Sequence, residues 1–313
     1  MAENQTIYDV LIIGGGPAGL TASIYAARSN RKVMIIERAL AGGKQSVTHR
    51  IENYPGTGKA GIKGLELSQL MEEQAKHLGV EFTFDNVLSV DLHTEHKKIT
   101  TSYSGNFYGK IVIIATGCES KSLGIPGENK FRGKGISYCA TCDGAFFKGK
   151  SVAVIGGGNS ALEEAMFLAK LVGSVTLMHR RDQFRAEKFV QNKLENYDNL
   201  KVMLNIIPKE ILGGTSVEKI MVKDVRTGDL QAVNVNGVFI YAGNSPNTNF
   251  ITECDKNVHG FLFGDKNMHT NIPGVYVAGD VRVKHLRQIV TAVSDGAIAA
   301  VEADKFITNH LKG

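Results

Sequence analysis

One local pattern occurs twice in this chain, and it constrains the fold more than anything else in the sequence. Residues 8–29 read YDVLIIGGGPAGLTASIYAARS and residues 151–170 read SVAVIGGGNSALEEAMFLAK. In the first copy, Val10 to Ile13 is a short apolar run of strand type, Gly14 to Gly19 form a turn, and the Ala-rich stretch Leu20 to Arg28 suits a helix. The second copy stands 142 residues on, from Gly14 to Gly156, with a strand at Val152–Ile155, a turn at Gly156–Ala161 and a helix after it. A second apolar strand follows in each copy and ends in a polar residue, Glu37 or His179, 23 positions after the first glycine. A lone G-x-G-x-x-G means little, but between a strand and a helix, with a polar residue at that distance, it specifies a dinucleotide-binding βαβ unit. The first glycine makes the tight turn, the second lets backbone approach a pyrophosphate, and the third small residue packs helix on strand. The phosphates then meet a helix N-terminus.

The residue closing the second strand separates the two ligands. Glu37 accepts hydrogen bonds from a free ribose diol and repels a 2′-phosphate. His179 is followed by Arg180 and Arg181, with Arg185 expected one helical turn on. That cluster supplies the charge-assisted bonds a 2′-phosphate needs. The first site therefore suits FAD or NAD and the second NADP. Of the first pair, FAD gives the protein a redox task, and Asp280 at the end of the strand-like GVYVAGDV is placed to meet the far end of a long cofactor. Both units close on an apolar strand and a small-residue turn, KIVIIATG at 110–117 and GVFIYAGNSPN at 237–247. The expected fold is α/β, two Rossmann-like dinucleotide-binding domains with one inserted in the other. Residues 1–117 and 245–313 form the discontinuous FAD domain, and 118–244 the NADPH domain.

Between the two units stands SYCATCDGAFF, with Cys139 and Cys142 three positions apart and Asp143 next. Zinc wants four ligands, commonly as two close pairs, and no second Cys-x-x-Cys or close His pair exists. The remaining histidines, His49 and His285 among them, fit no ligand spacing, so no metal is expected. A two-residue loop constrains the unfolded chain little, which argues against a structural staple. A redox pair fits a chain with two electron-carrying cofactors. Cys118 and Cys254 are expected to be unpaired core thiols. With 313 residues, 43% hydrophobic and 21% charged, the composition is that of a soluble globular protein of two domains. The net charge of +5 is spread without a basic tail or aromatic interleaving, so no nucleic-acid partner is expected. MAENQTIYD has no apolar h-region and no apolar run reaches ~20 residues, which predicts neither a signal peptide nor a membrane span and places the protein in the cytoplasm.

Across nearly its whole length the chain resembles the low-molecular-weight thioredoxin reductases. The residues carrying the likeness are GGGPAG, GGGNSA, IENYPG, CATCDGAFFKGK, HRRDQFRAEK and GVYVAGDV followed by Arg287-Gln288. The resemblance implies a homodimeric flavoprotein that passes electrons from NADPH through FAD to Cys139–Cys142 and on to a thioredoxin disulfide. It places FAD on Gly14, Gly16, Pro17, Ala18, Gly19, Glu37, Gly42, Gly43, Lys44, Gln45, Asn53, Thr116, Gly117, Asp280, Arg287 and Gln288. It places NADPH on Gly158, Asn159, Ser160, His179, Arg180, Arg181 and Arg185. Cys142 is implied to lie against the flavin, Cys139 to attack the partner, and Asp143 to handle the proton. The implied motion is a rotation of the inserted domain near Gly117 and Gly243. Two departures stand out: Lys44 where the family usually has Gln beside the flavin, and Ser294-Asp295-Gly296 early in the last helix. Alternatives in the same class are a reductase feeding a peroxiredoxin system and one fed by ferredoxin. Ferredoxin-fed relatives lack the arginine cluster kept here.

Overall fold

The apolar run of the first Gly-turn unit becomes the strand Ile7–Ile13, in the interior of a seven-stranded sheet. This computed structural model describes residues 6–48 and 50–310; the polar start Met1–Gln5 and His49 lie outside them. The chain divides into two compact units, one built on residues up to Glu119 and from Ser245 onward, the other on Ser120–Asn244.

In the first unit the sheet runs Glu81–Phe84, Val33–Glu37, Ile7–Ile13, Asn106–Ile114, Lys97–Thr101, Val87–Asp91. The first four strands are parallel and the last two form an antiparallel meander. Asn106–Ile114 changes neighbours along its length. Its start pairs with the meander, while Val112–Ile114 pair in parallel with Val275–Val277. Val10, Leu11 and Ile12 are fully buried. Consecutive apolar residues are what a strand needs when both faces are covered. Each such side chain contributes roughly 1.5–3 kcal/mol relative to exposure.

Two helices pack on one face, Pro17–Arg28 and Ile289–His310. The first begins three residues before the Ala-rich stretch that predicted it, because Pro17 suits a first turn whose N–H groups have no partners anyway. The contact between the helices is backbone-close. A Cβ on Gly296 would lie 2.2 Å from the carbonyl oxygen of Ala18, and a Cβ on Gly19 1.9 Å from that of Gly14.

The second unit has an all-parallel sheet in the order Leu200–Leu204, Ser174–His179, Ser151–Ile155, Gly237–Ile240, Ile136–Ser137. A separate antiparallel sheet, Ile206–Leu212, Lys219–Asp224, Leu230–Asn234, follows it in the chain. Neither this sheet nor the meander carries a motif. Alternation at Lys97–Thr101, buried at every second residue, was the available signal.

Glu128 anchors the entry to this unit. Its carboxylate accepts from Ser122 Oγ (2.7 Å), Tyr138 Oη (2.7 Å) and the amides of Leu123 (3.0 Å) and Gly124 (2.8 Å). Burial alone would raise this carboxyl, but the four bonds outweigh it and hold it below the usual range.

Two outcomes are expected. Gly296→Ala forces a methyl against the Ala18 backbone and should cost about 1–3 kcal/mol in urea unfolding. A depressed Glu128 contributes stability that is full above the unfolded carboxyl pKa, about 4.3, and lost as pH falls through the lower folded value. Thermal midpoints from pH 6 to 3 should therefore fall less steeply in Glu128→Gln than in the wild type.

Candidate active site

In each unit the Gly turn ends at a helix N-terminus that no side chain caps. Gly16 and Gly158 are the N-cap residues, both extended, and neither helix has a side-chain cap bond. A Cβ on either glycine would meet nothing within 4 Å. Elsewhere the turns are too tight for a side chain, so the space in front of these two N-termini is the space a pyrophosphate fits.

Around the first turn, Glu37 accepts from Gly15 N (2.7 Å) and Ala39 N (3.0 Å), which fixes its carboxylate at the strand end. Gly42 N donates to Gly15 O at 2.7 Å and brings the Gly42–Gly43 loop against the turn. Thr116, two residues past the end of the fourth parallel strand, has a buried Oγ1 with no hydrogen-bond partner. An unmatched buried hydroxyl beside an open helix N-terminus suits a polar ligand. Asp280 stands on a short turn, Gly279–Val281, where burial pushes its carboxyl up and Lys44, Arg287 and Lys284 partly offset the rise. Asp295, the departure noted in the last helix, anchors that turn. It accepts from Gly279 N (3.0 Å), Arg282 Nη1 (3.2 Å) and Lys284 Nζ (2.6 Å).

The other expected first-site residues divide. Asn53 Nδ2 donates to Gln288 Oε1 at 2.9 Å, and Arg287 Nε to the Asp280 carbonyl at 3.3 Å. Lys44 is exposed, with Nζ 3.6 Å from Cys118 Sγ. Gln45 is buried, its Nε2 on Ser68 Oγ at 3.0 Å and its Oε1 without a partner. Gly43 and Gly117 take positive φ, +55° and +68°. Cys118 and Cys254 are free and buried, and burial pushes both thiols up.

In the second unit the arginines do not follow a helical turn. Residues 180–187 form a loop and the next helix starts at Lys188. Backbone bonds from Arg185 N (2.7 Å) and Ala186 N (3.1 Å) to the Gly157 carbonyl pin this loop to the Gly turn. Asn159 and Glu187 add a reciprocal pair, 2.8 and 3.1 Å. Arg180, Arg181 and Arg185 are all exposed, and among the described residues no ion pair engages them. His179 has a different place from the one its sequence position suggested. Its ring is buried beneath Gly157, where a Cβ would fall 2.2 Å from it, and Nε2 has no partner. Burial first, then the three guanidinium charges, push the imidazole below its ordinary pKa. All three arginines thus act on one point beside the turn, the charge pattern that a 2′-phosphate fits.

Cys139 and Cys142 are joined in a disulfide across the helix Ala140–Asp143, and both are half-buried. Ser137, absent from the sequence expectations, organises this loop. Its Oγ donates to Asp143 Oδ2 at 2.5 Å and accepts from Cys139 N at 3.1 Å. Asp143 N donates to the Cys139 carbonyl at 3.1 Å. Among the described residues no group of three or more His, Cys, Asp or Glu could hold a metal, and no helix is long and apolar enough to cross a membrane.

The family model for pyridine nucleotide-disulphide oxidoreductases matches residues 8–296. The chain is 42% identical over 310 residues to a thioredoxin reductase of Peptoclostridium litorale, covering 97% of this chain and 98% of the relative. It is 39% identical over 311 residues to a bifunctional thioredoxin reductase/thioredoxin of Mycobacterium leprae, covering 99% of this chain and 68% of that one. The crystal structure of thioredoxin reductase from Streptococcus pyogenes is 41% identical, covers 97% of this chain and 99% of its own, and has a TM-score of 0.91.

The cysteine assignment has a direct check. After reduction, iodoacetamide should modify Cys139 and Cys142 in the native protein and leave Cys118 and Cys254 unmodified until denaturant is added. Four modified cysteines without denaturant, counted by mass, would contradict the burial of the last two.

Proposed function

Since the chain belongs to the pyridine nucleotide-disulphide oxidoreductase family, we propose that it reduces the disulfide of thioredoxin with NADPH, by way of FAD and the Cys139–Cys142 pair. The observation that carries this is the disulfide itself, a short half-buried ring in a chain with two open Gly turns of different charge. The names of its relatives support thioredoxin as the partner, and in the Mycobacterium leprae protein the name joins reductase and thioredoxin.

FAD is assigned to residues 1–117 and 245–313. The open N-terminus at Gly16 takes its pyrophosphate, Glu37 its ribose, and Thr116, Asp280, Arg287 and Gln288 its remaining polar groups. NADPH is assigned to 118–244, with its pyrophosphate at Gly158 and its 2′-phosphate among Arg180, Arg181 and Arg185. The chemistry FAD supplies when bound is the passage of an electron pair from NADPH to a disulfide.

The chain's own residues complete the exchange. Once the pair is a dithiol, the Cys139 thiolate attacks one sulfur of the thioredoxin disulfide and forms a mixed disulfide. Cys142 then displaces thioredoxin as a dithiol and restores the Cys139–Cys142 bond. Two electrons and two protons leave the chain in each cycle. Asp143, held by Ser137, takes the proton of the attacking thiol and returns it to the departing thiolate.

The arginine cluster favours NADPH over a donor that carries no 2′-phosphate. The same reading includes a homodimer in the cytoplasm; two buried free thiols suit a reducing compartment.

Anaerobic NADPH should bleach the flavin absorbance of the purified protein, and an unchanged yellow spectrum would overturn the choice of donor. Replacing Arg180, Arg181 and Arg185 by Ala should cost NADPH at least tenfold in kcat/KM, since bonds to charged groups contribute about 1.5–3 kcal/mol, while NADH changes little. Cys139→Ser should abolish thioredoxin turnover and spare flavin reduction.

A further inference from the structure

The backbone between the two cysteines makes one hydrogen bond that the exchange chemistry does not use. Ala140 N donates to Oη of Tyr241 at 2.7 Å. Tyr241 follows the strand Gly237–Ile240, and its own amide is fixed on the Ile155 carbonyl at 2.8 Å. Its phenol is pushed far up, by burial first and then by the Glu164 carboxylate. Glu164 lies on the helix Asn159–Ala169, and its carboxylate acts on that phenol from nearby. Burial also raises the Glu164 carboxyl, and its Oε2 has no partner. The redox helix and the strand end thus meet at a single hydroxyl, and the helix of the Gly turn brings a carboxylate near it. The other charged groups acting on the phenol and on Glu164 are Asp143 and Glu163, both acidic.

We propose that Tyr241 is a latch for the oxidised pair, a positioning residue whose hydroxyl holds Ala140 N more strongly when Cys139 and Cys142 are joined than when they are open. The closed ring has already fixed the dihedrals of Ala140 and Thr141, so the bond costs no further backbone entropy. In the dithiol the restraint of the ring is gone and only the helical turn holds those dihedrals, so making the same bond costs part of one residue's freedom. A developing thiolate also competes as acceptor for nearby amides. The phenol cannot follow a moving loop, because its Cβ packs on the Gly turn at Gly156 and its amide is tied to Ile155. The inference rests on the reading of Cys139–Cys142 as a redox pair, and it places part of that pair's reduction equilibrium on a residue 101 positions from Ala140.

The test is an equilibrium, because a bond made equally in both states cancels there. The FAD-loaded protein is equilibrated in glutathione buffers, and its thiols are trapped with a maleimide and counted by mass. In the reaction measured, two glutathione thiols give two electrons and two protons to Cys139–Cys142 and leave as one glutathione disulfide. Tyr241→Phe should move the constant about tenfold toward the dithiol, ~30 mV for a two-electron couple. Glu164→Ala, which removes the carboxylate beside the phenol, should move it in the same direction by a smaller factor. Glu164→Gln keeps an acceptor and should stay within twofold of wild type. A Tyr241→Phe constant within twofold of wild type, or shifted toward the disulfide, would overturn the latch. Thioredoxin turnover by the wild type is measured separately; its absence would overturn the functional reading and leave the glutathione result standing.

Discussion

The structure depends on backbone meeting backbone where a side chain would not fit. Gly19 brings the first helix onto the carbonyl of Gly14, and Gly296 brings the last helix onto the carbonyl of Ala18. With these contacts made, the helix N-terminus projects past the strand end with its amides unpaired, and nothing of the protein's own fills the space in front of Gly16. A methyl at either contact would move the helix by more than the length of a hydrogen bond can absorb. The anion site is therefore a consequence of packing, and the glycines serve the ligand by what they allow the helices to do.

Much of this was legible in the sequence, because such packing leaves no freedom in residue type. The doubled turn, the strand ends at Glu37 and His179 and the redox spacing all follow from positions where one kind of residue works. The illegible parts are those where many residues would serve. The meander and the separate three-stranded sheet are half-exposed strands of ordinary alternation, without a signature that distinguishes them from loops. His179 shows a second limit. Its place at the strand end was legible, whereas its burial under Gly157 depended on a loop that backbone bonds to the Gly157 carbonyl fold back over the turn. Ser137, Tyr241 and Glu164 were invisible because they act through single hydroxyl and carboxyl groups brought together by three separate elements.

Charge is distributed to match. The second site is built from uncommitted cations: three exposed arginines with no carboxylate partner among the described residues. Around the first site the cations are spent on structure. Arg282 and Lys284 are nearly buried and both bind Asp295, which in turn holds the amide of Gly279 next to Asp280. A buried carboxylate with two cations and an amide is fully satisfied, and removing it would strand two charges. The departure at Asp295 is thus read as a support for the Asp280 turn. Lys44, the other departure, faces Cys118 and the Asp280 carboxyl and adds positive charge to the same corner.

A disulfide spanning three positions restrains little of the unfolded chain, though it narrows the dihedrals inside its own ring. Hydrogen bonds from outside the ring place it on the rest of the unit. Ser137 fixes the Asp143 side and the Cys139 amide, and Tyr241 takes the amide between the cysteines. Both holds belong to the scaffold: Ser137 closes the strand Ile136–Ser137, in register with Phe239 of the strand Gly237–Ile240, and Tyr241 follows that second strand. They differ in where they act, since Ser137 holds the Cys139 amide and the Asp143 carboxylate at the edge of the ring, whereas Tyr241 holds the amide inside it. When the ring opens, the bond inside it is the one that has to be kept at an entropic cost or given up. The anchor inside the ring therefore favours the bonded sulfurs.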